Sequence, residues 1–143
     1  MRIKLLNDLA KIPTRGSVDA AGYDLYCAGI NTITIQPNET VKIPTGIATE
    51  IPEGYFGAVF PRSGLATKQG LRLANCVAVI DSDYRGEWLI PLHNDSEETR
   101  YVQAGDRIAQ VVFLPYATFD FETVDSLDET ERGDGGFGHS GMK

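Results

Sequence analysis

Residues 81–86, Asp81-Ser82-Asp83-Tyr84-Arg85-Gly86, place two carboxylates, a phenol and a guanidinium between two apolar runs. Val77, Val79 and Ile80 lie on one side, Trp88, Leu89 and Ile90 on the other. β-prone runs interrupted in this way read as a β-hairpin with its turn at 81–86. On backbone grounds a turn asks only for Gly, Asn or Asp. A solvated hairpin tip is one reading of this stretch. The other is a reaction centre, because the groups present can take protons and bind anions.

Three further stretches carry groups that an anion or a metal would need. Pro61-Arg62-Ser63-Gly64 sets a guanidinium and a hydroxyl at the start of an expected helix, 63–70, with Ser63 as cap and Gly70 as stop. Free N–H groups and the guanidinium fork make an anion site there, although such an arginine is also common on plain surfaces. In Gly105-Asp106-Arg107-Ile108-Ala109-Gln110, Gln110 falls on the apolar face of Ile108 and Val112. Its amide needs a partner if buried, either inside the core or on a phosphate or reacting water. Asp24, in Ala21-Gly22-Tyr23-Asp24-Leu25, reads as a strand-end residue or as an outer-sphere partner of hydrated Mg2+. One carboxylate is enough when that ion rides on substrate phosphates. His93 and His139 are the only histidines, and neither stands in a Ser-His or Cys-His pattern.

These groups hang on short runs punctuated by glycine and proline. Residues 2–6, 32–36, 41–44, 47–51, 55–60, 71–80, 87–94, 100–103 and 107–116 read as strands, with alternation in Ile33/Ile35 and Trp88/Ile90/Leu92. Many short strands predict an all-β fold: an antiparallel sandwich, barrel or jelly roll. A core over 1–118 is expected. Residues 119–124 fit a last strand, 125–131 are acidic and 132–141 are glycine-rich. Such a composition does not order itself, so a frayed end accounts for it. Composition alone favours that reading; against it, Arg132 and Phe137 suit an arm that closes over a phosphate and a flat ring.

The chain of 143 residues suits one domain, and its net charge of −7 argues against broad binding to a nucleic-acid backbone. Cys27 and Cys76 are too few for a disulfide framework and show no metal-ligand spacing. No signal-peptide run and no membrane-length apolar stretch occurs, so the expected setting is soluble, intracellular and cytoplasmic.

Taken in order, five blocks of this sequence resemble the signature blocks of the trimeric dUTPases, and the match spans essentially the whole chain. They are residues 21–25, 61–66 and 79–86, then 105–110 and 132–138. The resemblance implies a jelly-roll-like β fold, a homotrimer with active sites at subunit interfaces, and an arm over 119–143 that closes a neighbour's site. The implied reaction is Mg2+-dependent hydrolysis of dUTP to dUMP and pyrophosphate, which keeps uracil out of DNA and supplies thymidylate synthesis.

By the same resemblance, Asp81 is the base that activates water for attack on the α-phosphorus. Asp83 becomes a turn or salt-bridge residue. Arg62, Ser63, Gly64, Gln110 and Arg132 hold phosphates, and Asp24 holds a metal-bound water. Asn75 with the backbone of Ala78, Val79, Ile80 and Leu89 reads the base. Tyr84 stacks on the deoxyribose, and Phe137 with Gly138 covers the uracil. Ala78 stands where the family commonly has glycine, adding a methyl to the pocket wall. His139 replaces a small hydroxyl residue, with Ser140 as the substitute phosphate contact. A dCTP deaminase of the same superfamily and a dUTP-binding regulator without turnover are the competing readings. The unbroken block at 81–84 and the glycine-rich arm favour hydrolysis.

Overall fold

Side-chain alternation builds the sheets: Trp88, Ile90 and Leu92 are each 1% exposed, while Leu89 between them is 45% exposed. The structure, a computed structural model, describes residues 1–136. In chain order its strands are β1 (Arg2–Leu5), β2 (Thr14–Arg15), β3 (Tyr23–Tyr26), β4 (Ile33–Ile35), β5 (Thr40–Pro44), β6 (Ile47–Glu50) and β7 (Tyr55–Phe60). Helix α1 (Ser63–Gln69) follows, then β8 (Leu71–Leu73), β9 (Ala78–Ile80), β10 (Leu89–Asn94), β11 (Arg100–Val102) and β12 (Arg107–Pro115).

Every strand pair among the described residues is antiparallel. The largest sheet runs β2-β3-β12-β7-β9, a second runs β5-β10-β8, and two ribbons pair β1 with β6 and β11 with β4. Leu25, Ile43, Val59, Trp88, Ile90 and Val111 meet in one core between them. This is the jelly-roll-like, all-β architecture expected. No helix among the described residues is long and apolar enough to cross a membrane.

Four local expectations are corrected. The run 71–80 is not one strand: Cys76 takes φ 60°, and the turn around it splits the run into β8 and β9. The stretch 81–86 does not close a hairpin, because β9 pairs with β7 whereas β10 pairs with β5 and β8. Ser63 does not cap α1: Arg62 occupies the N-cap position, and no side chain bonds the free N–H groups. Gly70 does stop the helix, in the left-handed conformation that glycine adopts without strain. Residues 119–124 form no strand within the chain. Phe121 is fully exposed and Phe119 is 78% exposed, so no sheet edge of the same chain receives them.

One buried polar side chain ties the sheets together. Asn94, at 0% exposure, donates to the carbonyls of Ile35 at 3.0 Å and Glu98 at 2.8 Å. Its Oδ1 accepts from the Ser96 backbone at 3.0 Å and the Ser96 hydroxyl at 2.7 Å. Beside it Arg72 hydrogen-bonds Asp95 and holds that carboxyl below its usual range. Removing the Asn94 amide strands the buried Ile35 carbonyl, at roughly 1–3 kcal/mol, and frees three part-buried groups at smaller cost. Asn94→Ala is therefore expected to lose about 2–4 kcal/mol of stability, measured as a lower urea midpoint.

Candidate active site

Two separate cavities gather the groups singled out by the sequence. The first, of 470 Å³, is cationic and is lined by Gly22, Asp24, Arg62, Ser63, Gly64, Arg107 and Gln110 among others. Its floor is a row across the large sheet, since Gln110 on β12 stands opposite Asp24 on β3 and Phe60 on β7. Paired residues share a face, so all three point the same way. Arg107 would ordinarily point away from Gln110, being an odd number of positions earlier. The β12–β3 register shifts between Arg107 and Ala109, so that Arg107 stands opposite Tyr26. That bulge turns Arg107 onto the face of Asp24.

The outcome is one carboxylate held by two guanidiniums. Asp24 Oδ1 accepts from Arg62 Nε at 2.9 Å, and Oδ2 accepts from Arg107 Nη1 at 3.1 Å. The Asp24 side chain is 13% exposed, against 26% for Arg62 and 50% for Arg107. Two cations on one anion leave a net positive charge where an anionic ligand can sit. Gln110 is half-buried and its Nε2 donates to the Pro61 carbonyl at 3.0 Å. Ser63 and Gly64 lie exposed at the rim.

The second cavity, of 340 Å³, is lined by Asn75, Ala78, Val79, Ile80, Asp81, Tyr84, Trp88 and Leu89, with Lys42 and Glu87 among the rest. It exists because β9 and β10 diverge into different sheets. Strand β9 is the edge of the large sheet, and β8 covers β10 only from Leu92 onward. Free backbone N–H and C=O groups on both sides can therefore pair with the edge of a flat ring. Tyr84, 43% exposed, donates from Oη to the Glu87 carbonyl at 3.0 Å. Its ring lies over Gly86, where a Cβ would stand 2.6 Å from Tyr84 Cζ. Asp81 is exposed, lines this cavity and a neighbouring one shared with Asp83 and Arg85, and takes part in no ion pair among the described residues.

The structure sharpens several assignments. Ala78 takes a φ outside the left-handed region, and it packs against the core cluster while also lining the second cavity. Asp83 sits in a turn and forms no salt bridge among the described residues. Arg85 instead donates to the carbonyls of Ser82 at 2.7 Å and Tyr84 at 3.1 Å. Arg132 donates to Gly135 O at 2.9 Å within its own turn, and it lines neither cavity. Phe137, Gly138, His139 and Ser140 lie outside the described residues. Arg107 was missed as a site residue, although it shares a block with Gln110. Lys42 was missed because nothing in the sequence brings β5 to the ring-facing cavity.

Among the described residues no group of three or more His, Cys, Asp or Glu can enclose a metal ion. The carboxylate of Asp24 has about four lone-pair directions, and the two arginines take two of them. What remains fits a water of a hydrated Mg2+ carried on phosphates, and does not fit a dehydrated ion in a protein cage.

The sequence model of the dUTPase family matches residues 8–141. The chain belongs to the dUTPase family. A deoxyuridine 5'-triphosphate nucleotidohydrolase of Desulfitobacterium hafniense is 53% identical over 133 residues, covering 92% of this chain and 88% of the relative. The enzyme of that name from Finegoldia magna is 46% identical over 99% of both chains. Among solved dUTPases, that of Staphylococcus bacteriophage 80alpha with dUPNHPP superposes at a TM-score of 0.88 and 32% identity, covering 98% of this chain and 97% of that one. A variant dUTPase of phage phi11 of S. aureus, described with a structural Mg(II) ion, superposes at 0.79 and 28% identity, over 87% and 96%. For this dUTPase-family chain, Gly86→Ala is expected to unseat Tyr84 and weaken binding of a non-hydrolysable dUTP analogue roughly 10-fold. Calorimetric titration measures it.

Proposed function

We propose that the chain hydrolyses dUTP to dUMP and pyrophosphate in the presence of Mg2+, limiting uracil in DNA and supplying dUMP for thymidylate synthesis. The observation that carries this reading is the division of labour between the two cavities. One offers unpaired strand edges, a sugar-sized aromatic rim and a free carboxylate. The other offers guanidiniums and an amide.

Uracil has an acceptor at O4 and a donor at N3, and cytosine reverses both. Backbone groups on β9 and β10, with Asn75, suit the first pattern. A buried mismatch costs on the order of 1–3 kcal/mol, enough to reject cytosine. Tyr84 beside the deoxyribose leaves no partner for a ribose hydroxyl. Arg62, Ser63, Gly64, Gln110 and Arg132 draw the triphosphate into line. Asp81 accepts a proton from a water whose oxygen attacks the α-phosphorus, and the bond from that phosphorus to the bridging oxygen breaks as pyrophosphate leaves. Asp24 would hold a water of a bound Mg2+, and such an ion would neutralise charge on the leaving pyrophosphate. No covalent intermediate forms.

The two cavities share no lining residue. That separation supports a homotrimer in which one subunit's ring-facing cavity meets another's cationic cavity. Residues 117–134 are exposed throughout, which suits an arm reaching a neighbour with Arg132 on the γ-phosphate and Phe137, Gly138 and Ser140 beyond it. The domain division at 118/119 follows from the same reading.

Pyrophosphate release with Mg2+ is expected to be much faster from dUTP than from UTP, dCTP or dTTP. Equal rates on all four would remove the selectivity argument. Asp81→Asn is expected to lower kcat by about 1,000-fold while leaving analogue affinity within about threefold. Deleting everything after Glu131 is expected to keep the trimer and cut turnover at least about 10-fold, read by light scattering and initial rates.

A further inference from the structure

Gly22 stands diagonally across the β3–β12 ladder from Gln110, on the side where the Gln110 side chain leans. A Cβ at position 22 would stand 2.6 Å from Gln110 Oε1, 3.4 Å from its Cδ and 3.5 Å from its Cβ. The other end of the amide is fixed as well. Its nitrogen is 3.0 Å from the Pro61 carbonyl, which can only accept, so the NH2 group must be at that end. One N–H serves Pro61 and the other is left for the cavity, while the carbonyl oxygen rests against the bare α-carbon of Gly22.

We propose that Gly22 is a positioning residue of the cationic cavity: its missing side chain seats Gln110 Oε1, so that the amide presents an N–H, not a carbonyl, to an anionic phosphate oxygen. The proposal rests on the phosphate-binding reading of that cavity. An acceptor turned toward a phosphate would repel it, and a donor gains a charge-assisted bond. A side chain at position 22 moves the amide at little cost to folding, because the displaced atom is the end of a flexible chain. A glycine needed only for packing would behave in the opposite way.

Binding of inorganic triphosphate with Mg2+ to the full chain tests this by calorimetry, alongside melting temperature and dUTP turnover. Gly22→Ala is expected to weaken triphosphate binding about 10- to 100-fold, with a melting shift of no more than about 3 °C. Placed on Gln110→Ala, the same substitution is expected to cost less than about twofold, because the group it acts through is gone. Gln110→Glu keeps the shape but has no N–H, and is expected to bind at least as weakly as Gln110→Ala. Equal losses from Gly22→Ala in both backgrounds, wild-type affinity in Gly22→Ala, or wild-type affinity in Gln110→Glu would each overturn the proposal. So would an active wild type that binds no triphosphate. A wild type that binds triphosphate but does not turn over dUTP sinks the proposed function and leaves the seat standing. One that does neither sinks both.

Discussion

Strand β12 is zipped to β3 on one side and β7 on the other, and its register decides where the cationic groups point. A slip of one residue would send Gln110 to the opposite face and break its alignment with Asp24 and Phe60. The bulge near the start of β12 is the necessary complement. Without it Arg107 would face away, and Asp24 would keep a single arginine. Two ladders fix the strand and one extra residue re-aims its end, so the carboxylate, two guanidiniums and amide converge without a long loop.

The ring-facing cavity depends on strand pairing that is withheld. Chain from β9 to β10 leaves one sheet and enters another, and the edges they would have offered each other stay unpaired. Exposed strand edges are usually blunted because they invite pairing with other chains. Here the unpaired length is only a few residues and lines a cavity, which leaves little edge for another strand to pair with. Tyr84 folds over Gly86 because there is no Cβ in its way, which keeps an aromatic at the rim of that cavity.

Much of this was legible in the sequence. The all-β class followed from alternating runs such as Trp88/Ile90/Leu92, and α1 from its composition with Gly70 as stop. Four of the five blocks contribute residues that line one cavity or the other, whereas residues 132–136 line neither. Local signals failed where tertiary pairing decides. The apolar run 71–80 gives no sign that Cys76 adopts a left-handed turn, and the stretch 81–86 looks like any hairpin until β9 is seen beside β7. Arg107 was invisible as a partner of Asp24 because simple alternation places it on the wrong face, and only the bulge reverses that.

The second cavity has an optical consequence. Trp88 is the sole tryptophan of the chain, is 1% exposed, and forms part of that cavity's wall. Its indole is excited at wavelengths where tyrosine absorbs little, so its emission can be observed apart from the six tyrosines. A ring entering between β9 and β10 would alter the surroundings of the one fluorophore excited at those wavelengths. The protein thus carries its own intrinsic reporter, placed by the core at the spot where occupancy matters.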